Sequence, residues 1–291
     1  MAITIRTISE AFAAECVGID LSAPINELTL GKIKDAFAAH PVLLFRDQSL
    51  TPDQQIAFSR NFGDLEIHVS KQYLLPEHPE ILLLTNERNP DGSRVSIADG
   101  GTGWHSDLSY LAKPAMGSLL YAVRTPSDPK SAQDTEWGDM YRAYETLSDE
   151  IRRRIDGLKA IHVFNQDLNP RMPPIDTRYR DKHTSAVRDL TPPVKHPIVR
   201  THPVTGRKSL YVSIRFTVGI ADIDEKEGAE LLDQLFDHQR RPEFRFLHKW
   251  TAGDLIMWDN RCTNHRAVGK VAELPNIRRM HRTTLSGDSP Y

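Results

Sequence analysis

Apolar residues in this chain gather in short runs. VLLF at 42–45, ILLLTN at 81–86 and MGSLLYAVR at 116–124 are each of strand length and bounded by turn residues. Such runs predict buried strands. SLYVSIRFTVGI, FRFLHKW, DLIMWDN and RRMHRTTL extend the strand pattern towards the C-terminus, and residues 1–6 alternate. The turn VTGR, between IVRTHP and SLYVSIRFTVGI, predicts a hairpin. Helical spacing is confined to a few places. Ile33, Ala36 and Phe37 predict a helix over Leu30 to His40. Thr51 as N-cap and Pro52 at the first helical position open a second, which stops at Gly63. Tyr141, Tyr144, Leu147, Ile151, Ile155 and Leu158 predict one helix from Asp139 to Leu158, and Asp224 to Gln239 predicts another. Many short strands with a few helices predict a mainly β fold, a sandwich or barrel covered by helices. There is no regular strand–helix alternation and no glycine-rich nucleotide motif, which excludes a nucleotide-binding α/β sheet.

Residues 165–197 break the pattern. The segment is rich in proline and charge and poor in large aliphatics. It is expected either as a solvated insertion or as a lid over a site, since long loops in compact domains are often functional. The whole chain, 1–291, is expected to be one domain carrying this insertion.

Charge changes the picture little. Lys and Arg number 37 against 39 Asp and Glu, a net charge of −2. No global field attracts nucleic acid or an anionic membrane, so neither is an expected partner. Cys16 and Cys262 are too few and too far apart for a disulfide framework. With no signal-like or membrane-spanning run, a soluble cytoplasmic protein is expected.

The candidate chemistry lies in GWHSDLSY, 103–110. On a strand, His105 and Asp107 would share one face and could reach one ion. A third ligand has to come from elsewhere, and His68, His162, His196, His202, His248, His265 and His281 are available. His265 stands apart because it follows an apolar strand that ends in a polar turn, LIMWDNRCTNHR. Two histidines and one carboxylate make a facial triad that leaves three positions open, which suits non-haem Fe(II) and oxygen chemistry. A zinc site using Cys262 is the competing arrangement, though closed zinc sites want four ligands. Further on, Arg278, Met280 and Arg282 alternate onto one side of a strand. They are either surface arginines or two anion sites, one for a cosubstrate and one for a substrate.

These motifs carry a resemblance. WHSD, DTEW at 134–137, THPVTGRKSLYV, WDNRCTNHRA and RRMHRTTLSGD, together with VLLFRDQSLTPDQQIAFSRNFG at 42–63, resemble the taurine dioxygenase family of Fe(II)/2-oxoglutarate oxygenases. The likeness runs through nearly the whole chain. It implies a double-stranded β-helix, a distorted, cupin-like jelly roll with helices outside. It implies that His105, Asp107 and His265 hold Fe(II), and that Thr135 and Arg278 hold the carboxylate of 2-oxoglutarate. Arg282, His68 and Phe216 match substrate-facing positions. Two positions depart: Lys71 stands where the taurine enzyme has a tyrosine, and an asparagine near Gly101 is replaced.

The implied activity is hydroxylation of a small anionic substrate, a sulfonate or carboxylate, by O2, with release of succinate and CO2. Hydroxylation next to a heteroatom would cleave a C–S or C–O bond. Homo-oligomers are common in the family and are expected here. A zinc-dependent hydrolase on the same ligands, or a non-catalytic anion-binding barrel, are the alternatives. The hydrolase would leave Thr135 and Arg278 without work.

Overall fold

A computed structural model describes residues 3–9, 12–96, 101–126, 134–164, 168–172, 189–269 and 276–291. In chain order its strands are β1 (Thr4–Thr7), β2 (Ala13–Val17), β3 (Val42–Phe45), β4 (Leu74–Leu75), β5 (His78–Thr85), β6 (Gly117–Arg124), β7 (Thr135–Asp139) and β8 (Lys159–His162). Then come β9 (Val194–Pro197), β10 (Val199–Thr201), β11 (Lys208–Leu210), β12 (Thr217–Ile220), β13 (Arg245–His248), β14 (Leu255–Asp259), β15 (Thr263–Ala267) and β16 (Arg279–Leu285). The helices are α1 (Glu27–Ala39), α2 (Pro52–Arg60), α3 (Met140–Glu145), α4 (Asp149–Ile155) and α5 (Glu225–Gln239).

The apolar runs become the middle of an eight-stranded sheet ordered β1-β2-β3-β14-β6-β16-β5-β4. Side chains alternate across it with period two. Leu43, Phe45, Leu119, Tyr121, Leu255 and Met257 face outward and pack with Ile33, Phe37 and Phe58 of α1 and α2. Val42, Leu44, Leu120, Ala122, Ile256, Trp258 and Met280 face inward and meet Trp137 of β7. Trp137 belongs to the facing three-stranded sheet, β13-β7-β15. A further sheet, β12-β8-β9, and the hairpin β10-β11 complete the strands. They pack on α3, α4 and α5 through Met140, Ile155, Leu231, Leu235 and Phe236. The expected jelly roll with outer helices is this two-layer arrangement.

Several expectations need correction. The helix expected over Asp139–Leu158 is two helices. Thr146 Oγ1 turns back to the Arg142 carbonyl, and Ser148 caps α4 by accepting from the Ile151 N–H. Local hydroxyl–backbone bonds of this kind compete with a continuous helix. SLYVSIRFTVGI is not one strand either: Ser213 N–H donates to Thr217 Oγ1 and bends the chain between β11 and β12. The end of the 165–197 segment is no loop, because Val194–Pro197 pairs with β8. Residues 165–167 and 173–188 of the expected lid lie outside the described residues. Both cysteines are buried and unpaired. No helix among the described residues is long and apolar enough to cross a membrane.

Candidate active site

His105, Asp107 and His265 converge. Their ligand atoms lie within 4.8 Å of one another, and all three residues are buried. The route differs from a shared strand face. His105 makes an isolated antiparallel bridge to His265, its N–H donating to the His265 carbonyl at 2.9 Å and its carbonyl accepting from the His265 N–H at 2.7 Å. Asp107 follows in a turn, with Leu108 in the left-handed region at φ 55°. His265 also sits on a strand, β15, rather than in the polar turn expected for it. Each imidazole Nε2 stands 3.8 Å from one Asp107 oxygen.

The surroundings prepare the three side chains as ligands. His105 Nδ1 lies 2.8 Å from the Gly103 carbonyl, so a proton placed there leaves the Nε2 lone pair facing Asp107. Burial holds His105 well below the usual histidine range, with His265 and Arg215 adding to the effect. Burial also takes His265 down to about 4, although Asp107 opposes it. Both imidazoles are therefore neutral at pH 7, the form that binds a metal. Burial alone would raise the Asp107 carboxyl, but the Arg282 guanidinium, helped by the Ser118 hydroxyl, opposes it and the group is held below the usual carboxylate range.

Asp107 is clamped on both oxygens. Arg282 Nη1 donates to Oδ1 at 2.7 Å, and Ser118 Oγ donates to Oδ2 at 2.7 Å. Asn260 completes the clamp: its Nδ2 donates to Ser118 Oγ, and its Oδ1 accepts from the Asp107 N–H and from Trp258 Nε1. Partners behind metal ligands typically govern affinity by 10- to 100-fold. Ser118→Ala should therefore weaken divalent-metal binding by about 10-fold, measured by competition with a fluorescent chelator, with folding kept. An unchanged affinity would show the clamp to be idle.

The other expected residues fall as follows. Arg282 is buried and meets Asp107, a contact the residue pattern did not disclose. Arg278 is buried, and its Nε has no acceptor among the described residues. Burial pulls its guanidinium down to about 10. Arg279, next to it, points away to pair with Glu87 at 2.7 Å. Thr135 is buried on β7, diagonally across from His265 through the Thr135–Ala267 and Trp137–His265 pairs. Its Oγ1 accepts from Trp250 Nε1 at 2.9 Å, which leaves its own proton to donate. His68 is half-buried, and burial, with Arg282 next in effect, pushes it down to about 3. Phe216 is buried with its ring edge-on to His105, 5.7 Å between centroids. Lys71 is exposed.

Most of the remaining histidines have other partners. His248 pairs with Asp254 at 2.9 Å, and the rings of His162 and His196 meet at 5.2 Å. His202 joins Asp259 and Cys262 in a second group of potential ligands. That group is already satisfied. Arg261 donates to both Asp259 oxygens, His202 Nε2 donates to Oδ2, and His202 Nδ1 accepts from the Val204 and Thr205 N–H groups. Burial and Asp259 push the Cys262 thiol well up, so it is no thiolate. The cluster locks the turn between β14 and β15, the turn that delivers His265.

Sequence reasoning passed over Ser118, Asn260, Tyr110 and Arg215. Asn260 and Tyr110 stood inside motifs quoted for other residues. Ser118 and Arg215 had no local signal.

Residues 4–284 match the family model described as Taurine catabolism dioxygenase TauD, TfdA family. The chain is 34% identical over 298 residues to the alpha-ketoglutarate-dependent 2,4-dichlorophenoxyacetate dioxygenase of Cupriavidus pinatubonensis, with 99% of each chain covered. It is 29% identical over 293 residues to the alpha-ketoglutarate-dependent sulfate ester dioxygenase of Pseudomonas putida, covering 98% of this chain and 90% of that one. A crystal structure of a taurine dioxygenase from Burkholderia xenovorans superposes with a TM-score of 0.81 at 32% identity, covering 100% of this chain and 91% of that one.

Proposed function

The chain belongs to the Taurine catabolism dioxygenase TauD, TfdA family, and from that premise we propose that His105, Asp107 and His265 hold Fe(II) beside 2-oxoglutarate. The chain is a 2-oxoglutarate-dependent dioxygenase acting on a small organic anion. The observation that carries the iron reading is the donor set. Two neutral imidazoles and one carboxylate converge, with no fourth protein ligand among the described residues. Such a set leaves positions for a chelating cosubstrate and O2.

The Arg278 guanidinium, whose Nε has no acceptor among the described residues, supports the cosubstrate site. A buried arginine without an acceptor is costly, and a carboxylate relieves that cost. Arg278 would pair with the distal carboxylate of 2-oxoglutarate, and Thr135 would donate its hydroxyl proton to the same group. Bound there, iron and 2-oxoglutarate would supply the activation of O2, with one oxygen atom going to the substrate and the other to succinate as CO2 leaves. The protein's own part is to bind, orient and exclude. Ser118 and Arg282 keep Asp107 ionised and aimed. Arg282 and His68 would take the substrate's anionic group, and Phe216 would wall the pocket against His105. The substrates named for the relatives, an aryloxyacetate and sulfate esters, fit an anion held by arginine. We place alkylsulfonates and aryloxyalkanoates first among candidates, with hydroxylation beside the heteroatom releasing the C–S or C–O fragment.

The test is anaerobic titration of the metal-free protein with Fe(II) and then 2-oxoglutarate. A weak visible band should appear and should be lost in His105→Ala. Tight zinc binding with no band, and turnover under nitrogen, would favour the hydrolase reading instead.

A further inference from the structure

Near the ligand cluster stand three buried donor atoms that find no acceptor among the described residues: Nε of Arg215, Nε of Arg282 and the hydroxyl of Tyr110. Arg282 at least has Asp107 through its Nη1. Among the described residues Arg215 has no carboxylate partner. Its guanidinium lies over the Phe216 ring, 5.3 Å from the centroid. Tyr110 meets the same ring at 5.0 Å, and that ring abuts His105. The guanidinium and the hydroxyl thus flank one aromatic wall beside a metal ligand. Arg215 is also fixed there: its N–H donates to the Trp104 carbonyl, and its carbonyl accepts from Asn169 Nδ2.

Charge counting sharpens the point. Arg215, Arg278 and Arg282 bring three positive charges to the site, and Asp107 brings one negative. A divalent metal and a doubly ionised 2-oxoglutarate cancel each other. Among the described residues two positive charges then remain unanswered in a desolvated pocket, an arrangement that favours a ligand of opposite charge.

We infer that the substrate is an organic dianion, with one anionic group held by Arg282 and His68 and a second held by Arg215 and the Tyr110 hydroxyl across Phe216. This rests on the dioxygenase reading above and narrows its substrate class.

The test measures anaerobic dissociation constants on protein loaded with Fe(II) and 2-oxoglutarate, from the change each compound makes in the visible band. The probes are skeleton-matched pairs: propane-1-sulfonate with 3-sulfopropanoate, and phenoxyacetate with 4-carboxyphenoxyacetate. The wild type should bind the dianion of at least one pair about 10-fold tighter or better. Arg215→Met should lose on the order of 10- to 100-fold on that dianion, and no more than about twofold on its monoanion. Arg215→Lys should restore part of the preference, since it restores charge but not the fork. A wild type that binds neither dianion better than its partner overturns the inference, as does a preference that survives in Arg215→Met. Equal weakening of both members of a pair overturns it too. Absence of the band before any probe is added overturns the iron and 2-oxoglutarate reading itself, so the two failures are distinguishable.

Discussion

Asp107→Ala should abolish metal binding and also lower the stability of the metal-free protein. The first effect follows from losing the only anionic ligand of the cluster. The second follows from Arg282. Its guanidinium is about one-tenth exposed and its one ion pair among the described residues is with Asp107. Breaking a buried pair from one side typically costs about 3–5 kcal/mol, because the remaining charge stays buried. For a chain of this size that is a fall in Tm of roughly 5–8 °C. Turnover should fall below detection. The checks are metal content after anaerobic loading and a thermal melt of the stripped protein. A double variant, Asp107→Leu with Arg282→Met, separates the effects: it should regain much of the lost Tm and still bind no metal. Wild-type metal content in the single variant would refute the assignment of Asp107.

Arg278→Met should do the reverse to stability. The guanidinium is desolvated, drawn down to about 10, and its Nε has no acceptor among the described residues. Replacing it with an apolar side chain of similar length removes a cost from the metal-free fold, so the melt should hold steady or rise. Affinity for 2-oxoglutarate should fall on the order of a hundredfold or more, since the lost partner is a buried charge facing a carboxylate. Calorimetric titration of 2-oxoglutarate into the metal-loaded variant measures this directly. Unchanged affinity would place the cosubstrate's carboxylate elsewhere.

The strands of this fold were easy to read because burial on both faces leaves continuous apolar runs. VLLF, MGSLLYAVR and LIMW each became the strand expected of them. The triad was readable as a set of residues but not as a geometry. His105 and Asp107 were expected on one strand, yet a bridge and a turn bring them together. The alternation of Arg278, Met280 and Arg282 left surface arginines and anion sites both open, and the structure buries all three side chains. The alternation could not show that Arg282 ends on Asp107, because that contact joins residues 175 apart in sequence. Arg215 was invisible for the same reason: inside a strand-like run it looks like any outward-facing polar residue. The helix over Asp139–Leu158 failed for a different reason. Side-chain hydroxyls at Thr146 and Ser148 ended one helix and started another beneath a pattern that suited a single one.

The two arginines proposed to hold anions sit on one stretch of chain, Arg278 just before β16 and Arg282 within it, and this makes that stretch a ruler. Arg278 and Arg282 are four residues apart, so their Cα atoms are separated by about 13 Å of extended chain. β5 and β6 pair with Arg279–Arg282, while Thr85 Oγ1 donates to the Arg278 carbonyl and Asn86 Oδ1 accepts from the Arg278 N–H. The proposed anchors of cosubstrate and substrate therefore cannot drift independently. A longer or shorter substrate cannot be accommodated by sliding Arg282. It has to be met elsewhere in the pocket, while that interval stays constant. Diversification in such a protein is a matter of changing the rest of the pocket around a fixed gauge.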